Sequence, residues 1–101
     1  PDAMSDIPVV DIEEIETAYY LRLSAVDRPG VLANITAILG DSNISIEAII
    51  QKEPVQGSSH VPVIFLTQRV REKNMNEAIR NIEALDTVSG PVARIRLETL
   101  A

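Results

Sequence analysis

Apolar residues change their spacing several times along this chain, and each change marks an element. From Tyr19 to Val26 the residues alternate, with Tyr19, Leu21, Leu23 and Ala25 on one side and Tyr20, Arg22, Ser24 and Val26 on the other, which predicts a strand. From Val31 the apolar positions fall at 31, 32, 35, 38 and 39, the stripe of a helix, and Gly40 and Asn43 punctuate its end. Ile44, Ile46, Ala48 and Ile50 alternate again and predict a second strand over 44–51 with those four on one face. The stretch "EPVQGSSH" is a loop by its Pro, Gly and Ser content. "VPVIFLTQ" is apolar on both faces and reads as a third strand, with Pro62 confined to its start because proline cannot donate to a ladder. Met75, Ala78, Ile79, Ile82 and Leu85 share one face of a second helix over 71–88, "SGP" breaks it, and "VARIRLETL" alternates as a fourth strand.

The order βαββαβ is that of two right-handed β-α-β crossovers joined by a hairpin. It predicts an α+β, ferredoxin-like plait: a four-stranded antiparallel sheet of order 4-1-3-2 with two helices on one face. The other face has no cover within the chain. Yet Ile64 and Leu66 alternate with Val61, Val63 and Phe65, so both sides of strand three are apolar. A half-solvated sheet does not need that, and a partner surface is expected there or along the edge.

At 101 residues the chain is one domain, with 46% apolar content. The net charge of −6 is uneven. Residues 1–18 hold six acids and no base, and the remainder balances nine acids against nine bases. Residues 1–18 therefore read as an acidic linker with two prolines, and residues 19–101 as the domain. That leader, together with a first residue that is not Met, leads us to expect a piece of a longer protein. The lack of Cys fits a reducing compartment, and a cytoplasmic location is expected. No apolar run is long enough to span a membrane.

Composition and spacing also narrow the chemistry. An acidic chain with three aromatics has neither the charge nor the stacking platform for nucleic acid. With no Cys and only His60, no metal site is expected. Phosphate hydrolysis would need a longer anion-wrapping loop than the one before the first helix. No nucleophile–base pair stands out, so no catalytic residue is assigned.

The motif that remains is "DRPG", Asp27 to Gly30, between the first strand and the first helix. A bare helix start would use similar residues: Pro fits a first turn, Asp caps, and Gly allows a tight bend. A ligand turn explains more. The helix N-terminus suits a carboxylate, and Asp27 beside it suits an ammonium, so together they match the two charges of an amino acid. Gly30 allows close approach to the backbone. Asn34, one turn on, is placed to read a side-chain hydroxyl.

"DRPGVLANITAIL" followed by "NISIEAI" resembles the signature of ACT domains, small-molecule-binding regulatory modules of amino-acid metabolism. Their pattern is a strand, D-x-P-G-[VL]-L, an apolar helix, a Gly or Asn turn, and [IV]-[NS]-I opening strand two. The match covers 19–98. More narrowly, "EEIETAYYLRLSAVDRPGVL", "SIEAIIQKEP" and "REKNMNEAIRNIEALDTVSGPVARIRLE" resemble the C-terminal regulatory tail of bacterial homoserine dehydrogenases.

The resemblance implies a regulatory domain that senses L-threonine for feedback inhibition of an NAD(P)-dependent enzyme interconverting homoserine and aspartate semialdehyde. The fragment itself would hold no cofactor. The resemblance also implies a ligand set of Asp27, Arg28, Pro29, Gly30, Val31, Leu32 and Asn34, with Ser45 and Ile46 approaching from a neighbouring subunit of a homodimer or larger assembly paired through strand two. Ala25 stands where some relatives carry a polar ring. Two alternatives stay open: an ACT module that only dimerises, and one from another amino-acid biosynthetic enzyme.

Overall fold

The computed structural model describes residues 11–97, so most of the acidic leader, 1–10, and the end of the fourth predicted strand, 98–101, lie outside the described residues. Five strands and two helices follow one another: β1 (Glu16–Val26), α1 (Val31–Asp41), β2 (Ile46–Gln51), β3 (His60–Thr67), β4 (Val70–Arg71), α2 (Glu72–Glu83) and β5 (Val88–Leu97). The sheet is antiparallel. β3 lies between β2 and β1, and β5 pairs with β1. This is the expected 4-1-3-2 plait, with β5 as the fourth predicted strand.

The alternation in β1 sets the core. Tyr19, Leu21, Leu23 and Ala25 are buried against Val31, Ile35 and Leu39 of α1 and Met75, Ala78, Ile79 and Ile82 of α2. Val61, Val63 and Phe65 of β3 complete that layer, so both helices cover one face. Helix α1 ends as the Gly40 and Asn43 signals suggest. Asn43 takes a left-handed φ of 59°, its N–H bonds to Gly40 O at 3.0 Å, and the Ile44 N–H reaches Leu39 O at 3.0 Å. Gly40 itself is still helical.

Four expectations about elements need correction. β1 begins at Glu16, because Glu16 and Thr17 pair with the two-residue strand β4, which no periodicity announces. Helix α2 stops at Glu83 rather than near Val88. Leu85 keeps the apolar rhythm from a turn, where it packs on the core, and Val88 already pairs with Ala25. β5 runs through "SGP" instead of starting after it. Between Arg22–Ala93 and Ser24–Ser89 one residue of β1 faces three of β5, a bulge in which Gly90 takes φ 75°.

Finally, β2 starts at Ile46, and its register shifts between Ile46 and Ala48. Ile44 is buried ahead of the strand and Ile46 packs on the core, while Ala48 and Ile50 pair with Leu66 and Ile64 on the open face. The four therefore do not share one side.

A polar cluster fastens α2 to β5. Glu72, the first residue of α2, is 5% exposed, and both of its carboxylate oxygens receive guanidinium bonds, from Arg94 at 2.8 Å and from Arg96 at 2.8 and 2.7 Å. Arg94 also donates to Asn76 Oδ1 at 2.6 Å. The hydroxyl of Tyr19 is buried beside them and has no hydrogen-bond partner among the described residues. Burial first, and the Glu72 carboxylate second, raise the Tyr19 pKa above 10.0, and bonding to Glu72 raises that of Arg96.

Candidate functional site

The turn from β1 into α1 is pinned on both flanks. The Val26 N–H donates to Thr87 O at 2.8 Å and the Asp27 N–H to Ser59 O at 2.9 Å. The chain then folds tightly, Arg28 N–H to Val26 O at 3.0 Å and Val31 N–H to Arg28 O at 3.3 Å. Gly30 is the N-cap of α1, with φ 88°, a left-handed value that an L side chain rarely adopts. A Cβ at Gly30 would meet nothing within 4 Å, so the glycine is there for its angle rather than for space.

Asp27 does not cap the helix, since α1 has no side-chain cap. That removes the capping role the bare helix start had assigned to it. Among the described residues its carboxylate makes no ion pair, and neither does the Arg28 guanidinium. The first intrahelical bond is Asn34 N–H to Gly30 O at 3.0 Å, so the N–H groups of Gly30, Leu32 and Ala33 have no partner among the described residues.

Gly30 and Leu32, though not Ala33, border a pocket of about 340 Å³, at the lower end of the range for small-molecule sites. Asp27, Arg28, Pro29, Gly30, Val31 and Leu32 all line it, and Ala25, Val26, Val61 and Val63 form its apolar walls. Six of the nine expected site residues thus come together. Asn34 is exposed and does not line the pocket. Ser45 and Ile46 lie at the far end of β2, where Ser45 O accepts the Gln68 N–H at 2.9 Å and Ile46 pairs with Thr67.

The side chain missed from sequence is Gln51. It ends β2 opposite Val63 and borders the pocket with the only side-chain amide there. A polar residue closing an apolar strand run was the one available signal, and without the pairing of β2 with β3 nothing tied it to the turn. The arrangement offers free amide donors and a guanidinium for an anion, a carboxylate for a cation, an amide for a hydroxyl, and a small apolar wall. Among the described residues no group of His, Cys, Asp and Glu is placed to hold a metal ion, and no helix is long and apolar enough to cross a membrane.

Comparison with known proteins gives the family and the fold. The profile of the ACT domain family matches residues 19–85. A homoserine dehydrogenase of Methylobacillus glycogenes is 55% identical over 101 residues, covering 100% of this chain and 24% of its own length. The chain thus spans about a quarter of the length of the curated relatives it matches. A crystal structure of a homoserine dehydrogenase from Thiobacillus denitrificans superposes with a TM-score of 0.84 at 56% identity, over 95% of this chain and 21% of that one. The ACT domain of a GTP pyrophosphokinase from Chlorobium tepidum shares the fold, with a TM-score of 0.63 at 12% identity over 80% of this chain and all of that one. From its profile, its plait and its DRPG turn, this chain belongs to the ACT domain family.

Proposed function

We propose that this chain is the amino-acid-sensing regulatory domain of a homoserine dehydrogenase and that its effector is L-threonine. The observation that carries the reading is the state of the DRPG turn. Asp27 has no capping role, and three N–H groups at the start of α1 are unpaired beside it among the described residues. The effector's carboxylate would sit on the N–H groups of Gly30 and Leu32 at the positive end of the helix dipole. Its ammonium would meet Asp27. A short side chain fits against Ala25, Val61 and Val63, and a hydroxyl on it finds the Gln51 amide.

A homodimer paired through β2 completes the reading. Among the described residues β2 pairs only with β3, and its outer edge is open. Ile49 and Ile50 on it are 40% and 44% exposed, and an open apolar edge invites a further strand. Antiparallel pairing of two copies brings the Ser45 end of one β2 toward the Gln51 end of the other, and this is the route by which Ser45 and Ile46 would reach a neighbour's pocket. In a longer cytoplasmic chain the NAD(P)-dependent interconversion of homoserine and aspartate semialdehyde belongs to the part outside these residues. Occupancy of this pocket would then set the rate.

A thermal-shift screen of the twenty amino acids tests the reading. L-Threonine at about 100 times its dissociation constant should add roughly 2.7 kcal/mol of stability. A screen in which no amino acid raises the melting temperature would leave an ACT module that only assembles.

A further inference from the structure

The sheet face away from the helices carries a second crevice, of about 270 Å³, far from the DRPG turn in chemistry. The β5 bulge shapes it. Opposite Leu23 the strand takes three residues, Gly90, Pro91 and Val92, and the displaced Val92 N–H is held by Glu83 Oε2 at 2.7 Å. That bond fixes the bulge from the helix side, so the crevice is a built feature of the sheet. Its lining is Arg22, Ser24 and Ser89 as polar groups, with Leu23, Pro62, Pro91 and Ala93 as walls.

Arg22 is exposed and makes no ion pair among the described residues. Along the paired positions of β2, β3 and β5, and the β1 positions opposite them, none facing this side is Asp or Glu. Around the crevice the face is apolar. Ile50, Ile95 and Leu97 are 44%, 57% and 41% exposed, and Ile64 is buried even on this side. A lone guanidinium with two hydroxyls, set in an apolar face, is shaped for one carboxylate that arrives on an apolar surface. A free anion would need no such surround.

We infer that the open sheet face is a docking surface for the remainder of a longer homoserine dehydrogenase chain, an apolar patch whose one Asp or Glu side chain enters the Arg22 crevice. The inference rests on the reading of this chain as a domain of that enzyme. Two observations choose this occupant. The relatives are about four times as long as this chain, so a covering body of protein exists in them. Two copies meeting on this face with their crevices opposed would bring Arg22 against Arg22 with no acid at the paired positions around them, which disfavours that pairing.

The chain contains no Cys, so one introduced thiol reports this face cleanly. Ile95→Cys is placed in this chain alone and in a full-length homoserine dehydrogenase that carries it, with Glu53→Cys in the exposed β2–β3 loop as control. Maleimide labelling is followed by mass spectrometry of the thiol's own peptide. Labelling at position 95 should be at least tenfold slower in the full-length protein, with position 53 unchanged, and Arg22→Glu should restore the fast rate. Ser24→Asp, which sets a carboxylate against the Arg22 guanidinium and so competes for the same crevice, serves instead should Arg22→Glu melt early.

Equal rates at position 95 in both proteins would overturn the docking. Slow, concentration-dependent labelling in the chain alone would assign the face to a second copy. Slow labelling that neither substitution relieves would remove the carboxylate. None of these outcomes depends on threonine, so a failed threonine reading and a failed docking surface are separable.

Discussion

Glu72→Gln isolates the polar cluster at the start of α2. The carboxylate accepts Arg94 Nη1 at 2.8 Å, and Arg96 Nε and Nη2 at 2.8 and 2.7 Å. Its side chain is 7% exposed, those of Arg94 and Arg96 34% and 40%. Removing one member of a fully buried pair costs about 3–5 kcal/mol, mostly through the charge left behind. Here the charges left behind are guanidiniums already a third in water, so solvent takes up a large share and about 2 kcal/mol remains. At about 4–8 °C per kcal/mol for a domain of this size, the melting temperature should fall by about 8–16 °C.

Circular dichroism melting at pH 7 reads the shift, and a double-mutant cycle with Arg94→Met separates the pair from general damage. A fall of under about 2 °C would mean that solvent fully replaces the ion pairs and that the cluster orients α2 without stabilising it.

Tyr19→Phe removes a buried hydroxyl with no hydrogen-bond partner among the described residues and should leave the fold unchanged or stabilise it by up to about 1 kcal/mol; a clear loss would show the hydroxyl to be bonded. The raised Tyr19 pKa makes the folded state hold its proton longer than the unfolded one, so its contribution is complete below pH 10.0 and is lost as the pH rises above that value. Alkaline melts should therefore decline less steeply in Tyr19→Phe.

Deleting residues 1–14 takes away the exposed Glu14–Arg71 pair at 3.7 Å and should cost less than about 1 kcal/mol, whereas deleting 1–17 also removes the pairing with β4 and should lower the melting temperature much further. Gln51→Ala should weaken threonine binding in calorimetry more than Asn34→Ala does, because Gln51 borders the pocket and Asn34 does not; the reverse order would place the hydroxyl contact on α1.

The plait was legible because its strands keep strict alternation where it matters. The face of β1 set by Tyr19, Leu21, Leu23 and Ala25 was readable to the residue, and so was the doubly apolar β3. What escaped were register shifts. A one-residue shift around Glu47 turns Ala48 and Ile50 onto the open face, and composition carries no mark of it. β4 is two residues long and owes its existence to the start of β1, a tertiary contact without period. Leu85 imitates a further helical turn because a loop residue can reach the same core.

At the candidate site the contiguous motif Asp27–Leu32 was visible as a string. Gln51 was not, since only the pairing of β2 with β3 brings it to the turn. Asn34, placed by helical spacing alone, is exposed and does not line the pocket.

Calorimetric titration of L-threonine into this chain and into Asp27→Ala tests the central claim most directly. Asp27 caps no helix and makes no ion pair among the described residues, so the substitution should leave the melting temperature nearly unchanged. Losing a charged hydrogen bond to the ligand ammonium should cost about 1.5–3 kcal/mol of binding, a weakening of roughly 10- to 150-fold. Gly30→Val, which forces a branched side chain to φ 88°, should lose binding as well, together with some stability. Saturable threonine binding in the unaltered chain and its near loss in a normally folded Asp27→Ala is the predicted result. Threonine binding that Asp27→Ala leaves intact, or no binding to the unaltered chain at all, would contradict the assignment of the DRPG turn as an amino-acid sensor.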